Sequence, residues 1–120
     1  MNQNTWVVII AIGALVVFYI IKMLNKANPE LVRTKMKQKA KLIDVRSPAE
    51  FAGGSVPGAI NIPVDQLGSN IAKAGSKSDP VIVFCASGMR SANAKRILEN
   101  AGFSDVTNGG GVMDMMRAVG

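Results

Sequence analysis

The chain contains no histidine and only one cysteine among its 120 residues. Without imidazole, a Ser-His-Asp or Cys-His nucleophile pair is excluded, as is any zinc site that uses histidine. A single thiol cannot close an internal disulfide, and a lone cysteine kept for chemistry suits a reducing compartment. Internal repeats are missing as well. Positive charge is absent ahead of the first apolar run: Met1-Asn2-Gln3-Asn4-Thr5 has neither Lys nor Arg. No small-x-small cleavage site follows that run cleanly, so a removed signal peptide is disfavoured.

Fourteen basic and eight acidic residues leave a net charge of +6. The excess is local. Between positions 22 and 41 stand Lys22, Lys26, Arg33, Lys35, Lys37, Lys39 and Lys41 against a single acid, Glu30. From Leu42 onward, seven basic and seven acidic residues balance. The positive charge therefore belongs to a neck and not to a domain face, which argues against nucleic acid as a partner.

Trp6 to Ile21 is uncharged, and the run through Leu24 has nineteen residues, enough at about 1.5 Å each to cross roughly 28 Å of hydrocarbon. Lys22 is placed to snorkel, and Trp6 and Tyr19 suit the two interfacial belts. A soluble core helix would not be apolar on every face. Gly13-Ala14 is no strong small-xxx-small pair, so nothing supports dimerisation through this helix. All nearby cations follow the span. The expectation is an outside amino terminus and a cytoplasmic domain in a single-pass membrane protein, set in a bacterial inner membrane, with the basic neck near anionic headgroups. The resulting division is a tail at 1–5, a transmembrane helix at 6–24, a basic juxtamembrane neck at 25–41 and a soluble domain at 42–120, whose first helix starts near 29.

Asn28-Pro29-Glu30 reads as a helix start, with cap, first-position proline and first-turn acid. Val32, Met36 and Ala40 recur at four-residue spacing, a narrow stripe that can dock this helix. Strands are predicted at Lys41–Val45, Ala59–Ile62, Pro80–Phe84 and Ser104–Thr107. Ser47-Pro48-Ala49-Glu50 is a capping box opening a short helix. Helices are further predicted over Pro63–Lys73, Arg90–Asn100 and a Met-rich carboxyl terminus. This alternation predicts an α/β fold with a small parallel sheet flanked by helices.

The only thiol falls in Cys85-Ala86-Ser87-Gly88-Met89-Arg90, between a strand and a helix. Open α/β sheets collect ligands at the carboxyl ends of their strands. The helix amino terminus, free loop N–H groups and Arg90 all favour thiolate over thiol. The competing reading is a buried structural cysteine.

These residues resemble a rhodanese-like domain. The resemblance is carried by Leu42-Ile43-Asp44-Val45-Arg46, by Glu50 to Pro63 with its Val56-Pro57-Gly58, by Val81 to Ala92 and by Leu98 to Phe103. It runs from about Pro29 to the end. It implies a sulfurtransferase in which Cys85 carries a sulfane sulfur as a persulfide and passes it to a thiol or other nucleophile. The Ala86, Ser87, Gly88, Met89 and Arg90 amides would then form the cradle, with Arg90 stabilising anionic sulfur. Asp44 and Arg46 are expected to brace the loop. The implied partners are a sulfur donor (thiosulfate, or a protein or low-molecular-weight persulfide), a thiol acceptor, and the bilayer through 6–24 and the neck. No cofactor or metal is implied.

The chain departs from the family pattern in several places. Ser55 replaces a usual histidine, Ala86 a frequent basic residue, Met115 a usual tryptophan and Asn108 an apolar residue. Met89 is apolar where polar or basic residues are frequent. A less positive mouth favours an organic or protein persulfide over thiosulfate, and looser terminal packing is expected. Cysteine phosphatases also wrap an anion between Cys and Arg, but with five intervening residues; the four here disfavour that activity. A non-catalytic carrier, docking or redox-sensing module is the other alternative, and retention of Cys85 weighs against a bare scaffold.

Overall fold

A computed structural model describes residues 2–24 and 28–120, together with the side chains of 2–21 and 28–120. The expected snorkelling of Lys22 and the part of the neck at Asn25, Lys26 and Ala27 lie outside the described residues.

The first helix, α1, covers Gln3–Leu24. It starts ahead of Trp6 because Asn2 caps it: the Asn2 Oδ1 accepts from the Thr5 N–H and hydroxyl, both at 2.9 Å. Its apolar stretch Gln3–Ile21 is long enough by length and composition to cross a membrane, and none of it is buried against protein.

The remaining elements are α2 (Pro29–Lys37), β1 (Lys41–Asp44), α3 (Pro48–Ala52), β2 (Ile60–Asn61), α4 (Val64–Leu67), a 3-10 turn at Ile71–Ala74, β3 (Val81–Cys85), α5 (Met89–Asn100), β4 (Val106–Gly111) and α6 (Val112–Val119). The four strands are all parallel, in the order β2-β1-β3-β4. The expected α/β class is correct. One predicted helix is not continuous: Pro63–Lys73 breaks at Gly68 into α4 and the 3-10 turn. The interruption follows from glycine's poor helix propensity in a segment with little else to hold it.

Alternation along the strands builds two cores. Ile43, Val45, Val81, Val83 and Cys85 face α4 and α5, packing with Leu67, Ala94, Leu98 and Phe103. Leu42, Ile82 and Phe84 face the other way, onto Val32 of α2 and Met115 and Ala118 of α6. The α2 stripe works as its spacing predicts, with Val32 buried and Met36 and Ala40 half-buried in this second layer. Two neck cations are thereby engaged with the domain. Lys35 pairs with Asp105 at 2.9 Å, and Arg33 donates to the Ala118 carbonyl at 3.0 Å. Terminal packing is not loose: Met115 has no exposed surface, and Gly109 leaves room for its sulfur.

Candidate active site

Period-two alternation decides where the thiol lies. Cys85 is the last residue of β3 and continues the row Val81, Val83 toward α5, so its side chain enters the space beneath the start of that helix. The chain then reverses direction through Ala86 and Ser87 to Gly88, which caps α5 at φ 95°. A left-handed residue at this point is what lets the loop fold back over the sulfur, and only glycine adopts it without strain.

The Gly88 N–H donates to Cys85 Sγ at 3.0 Å, and the Ser91 Oγ lies 3.4 Å from it. Burial pushes the Cys85 thiol up. Hydrogen bonding of the charged form by the Ser91 side chain and by the Ser91, Ser87 and Gly88 amides outweighs it, and the thiol comes out below its ordinary value. The donors to the free sulfur come from Ser87, Gly88 and Ser91, while the side chains of Ala86, Ser87 and Met89 form the outer, exposed surface of the loop. Cys85 itself has no exposed surface. The tight turn at Gly88 covers the sulfur that it solvates.

Arg90 does not hydrogen-bond the sulfur. Its Nη1 and Nη2 donate to the two oxygens of Glu50 at 2.7 and 3.0 Å, a bidentate pair that joins α5 to α3. Glu50 also accepts from the Ser47 N–H at 3.2 Å as the second half of the capping box. Arg90 and Ser47 together lower the Glu50 carboxyl to about 2. The positive charge of Arg90 is felt at Cys85 through space alone.

Asp44 and Arg46, at the end of β1, pair with each other and with the segment that leaves α3. Buried Asp44 accepts from the Arg46 N–H and guanidinium at 2.7–3.1 Å and from the Ser55 hydroxyl at 2.8 Å. Arg46 Nη2 reaches on to the Gly54 carbonyl at 2.7 Å, so the pair fastens the segment leaving α3. Beside this pair a cleft of about 280 Å³ opens at the carboxyl ends of β1 and β2. Val45, Pro48, Pro63 and Val64 line its apolar side; Ser47, Asp65, Gln66 and Arg90 line the rest.

The profile of the Rhodanese-like domain family matches residues 28–114, well over half of the chain. The chain belongs to the rhodanese-like family. This rhodanese-like domain is 43% identical over 74 residues to the thiosulfate sulfurtransferase PspE of Escherichia coli K12, covering 61% of this chain and 71% of that protein. It is 31% identical over 93 residues to the human thiosulfate:glutathione sulfurtransferase, covering 67% and 81% respectively. Among solved structures, a rhodanese with anions from E. coli superposes with a TM-score of 0.60 at 42% identity, over 62% of this chain and 89% of that one. The human single-domain sulfurtransferase TSTD1 gives 0.65 at 29%, over 77% and 94%. The rhodanese-like domain is accordingly of the sulfurtransferase type.

The departures from the family pattern now have places. Ser55 stands where histidine is usual and satisfies Asp44. Asn108, replacing an apolar residue, accepts from Ser91 and Gly110 and donates to the Gly88 carbonyl. Neither Ser91 nor Asn108 was singled out from sequence as a site residue, and Glu50 was read only as a capping residue. The usable signals were a hydroxyl in the first turn after the thiol loop and a carboxamide directly before the three glycines that end the last strand. Among the described residues no group of acids and thiol is arranged to hold a metal.

Proposed function

We infer that this chain is a membrane-anchored sulfurtransferase that carries one sulfane sulfur on Cys85. The observation that carries this reading is the Cys85 sulfur under its loop, with the Gly88 N–H at 3.0 Å and its acidity raised by the surrounding donors. In the first half-reaction the Cys85 thiolate attacks the outer sulfur of a donor. A sulfur–sulfur bond forms to Sγ, the donor's own bond breaks, and its electron pair leaves with sulfite or with a thiolate. The negative charge now rests on the outer sulfur of the persulfide. In the second half-reaction an acceptor thiolate takes that sulfur and restores the Cys85 thiolate.

The loop residues Ala86, Ser87, Gly88 and Met89 supply the covering turn, and Glu50 holds Arg90 beside it. Because Cys85 is covered, residues 86–89 must part for a donor to arrive. The loop's outer face carries Ala86, Ser87 and Met89 and no charge, and in the neighbouring cleft the acid Asp65 offsets the cation Arg90. These features favour an organic or protein-bound persulfide over thiosulfate. The apolar α1 and the cations that follow it support a membrane span at 6–24, a neck at 25–41 and a cytoplasm-facing domain.

Incubating the full chain in detergent with thiosulfate or with an organic persulfide, then measuring intact mass, tests the persulfide directly. A gain of one sulfur atom, lost on adding thiol and absent in a folded Cys85→Ser variant, is the expected result. Failure of every donor to add mass to a folded sample would overturn the reading.

A further inference from the structure

Ser91 and Asn108 form a hydrogen-bonded chain behind the Cys85 sulfur, and its direction is fixed by the backbone. Asn108 Oδ1 accepts from the Gly110 N–H at 2.9 Å, and Nδ2 donates to the Gly88 carbonyl at 3.3 Å. Turning the carboxamide over would set NH2 against N–H and oxygen against oxygen, so these two backbone groups determine which end is which. Ser91 Oγ lies 2.7 Å from the Asn108 oxygen, which can only accept. Ser91 therefore gives its one hydroxyl proton to Asn108. Gly110 O, at 3.5 Å, is the poorer alternative. In the 3.4 Å contact between Ser91 Oγ and Cys85 Sγ, the thiol is left as the donor. Ser91 is fully buried.

Ionisation of the thiol inverts this arrangement. A thiolate accepts only; Ser91 can solvate it only by rotating its proton away from Asn108. Asn108 keeps the Gly110 N–H meanwhile, so the rotation leaves no buried acceptor unsatisfied. One proton thus has two claimants.

We propose that Asn108 is a positioning residue that competes with the Cys85 sulfur for the Ser91 hydroxyl proton and so sets how readily the thiol ionises. The charged groups on the surrounding elements are committed elsewhere: Arg90 of α5 to Glu50, Asp44 of β1 to Arg46 and Ser55, and Asp114 of α6 to the Gly111 N–H and Arg117. The consequence for sulfur transfer rests on Cys85 being the reacting atom. The proton competition itself is read without turnover, so the two can fail separately.

The test is a pH titration of thiolate ultraviolet absorbance on the full chain in detergent, with Cys85→Ser as the blank. The single cysteine makes the signal unique. Ser91→Ala should raise the midpoint and lower the thiolate population near neutral pH on the order of tenfold, the worth of one charge-assisted hydrogen bond. Ser91→Thr should restore it. Asn108→Ala should move the midpoint down in the parent chain and leave it unmoved in the Ser91→Ala background. A rise or no change with Asn108→Ala, or the same shift in both backgrounds, would overturn the proposal, because a residue that merely steadies the loop acts whether or not Ser91 is present. Should Asn108→Ala not fold, the infrared S–H stretch of the unmutated chain at mildly acidic pH decides. A donating S–H must absorb at lower frequency than in Ser91→Ala, and equal frequencies would refute the stated proton order.

Discussion

Glu50 ties together two pieces of chain that are forty residues apart: its own helix cap, and Arg90 at the start of α5 where the sulfur loop ends. Its carboxyl is lowered to about 2 by the Arg90 and Ser47 hydrogen bonds. A carboxylate depressed on folding stabilises the native state above its unfolded value of about 4.3, and that contribution is lost as pH falls through the folded value. The parent chain should therefore lose part of its denaturant resistance between those limits, whereas Glu50→Gln should show a flatter acid limb and lower stability at neutral pH. Guanidinium midpoints at several pH values check this, and an identical pH dependence in the two chains would contradict it. Gly111 is the second residue with a single structural demand. A Cβ there would run into the Ala86 carbonyl, so Gly111→Ala should displace the sulfur loop and slow persulfide formation, read by the rate of mass gain, while the sheet's far-ultraviolet dichroism is retained. The capping role of Glu50 was legible from the Ser47–Glu50 spacing, since helix caps are local. Its bond to Arg90 was not, because forty residues separate the partners.

At the scale of elements, α5 carries the site. It holds the sulfur loop at its amino terminus and anchors on the sheet through Ala94 and Leu98, both without exposed surface. Leu98→Ala should cost about 2–5 kcal/mol, as buried leucine truncations do. The loss is measured by urea unfolding, and a cost under about 1 kcal/mol would mean that this contact does not anchor the helix. Strands β1 and β3 were legible because buried parallel strands are continuous apolar runs. Helix α4 is shorter than Pro63–Lys73: Gly68, the weak point of that segment in the sequence, ends it. The bulge between β3 and β4, where Val83 faces Asn108 but Cys85 faces Gly111, left no signal in the residues alone. That irregularity sets Asn108 and Gly111 beside the loop.

Over the whole molecule, an apolar helix free of packing stands before a domain with two cores, one on each face of the sheet. In the proposed topology the cations after α1 stay on the cytoplasmic side. Protease added outside intact cells should leave the domain whole, and alkaline carbonate should not extract the chain from membranes. Digestion of the domain from outside, or release by carbonate, would exclude this arrangement. The charge count pointed to a basic neck with a helix starting near 29, and two of its cations reach the domain, Arg33 to the Ala118 carbonyl of α6 and Lys35 to Asp105.

What the residues determined unaided was whatever depends on neighbours in the chain: the apolar span, the caps at Asn28 and Ser47, the alternating strands, and a thiol placed between a strand end and a helix start. The tertiary structure alone decided that Arg90 clasps Glu50 instead of sulfur, that the thiol is covered, and that Ser91 is shared between Cys85 and Asn108. The reason is range. Backbone propensities and periodicity act over a few residues, while hydrogen-bond direction and burial depend on which distant segments the parallel sheet sets side by side.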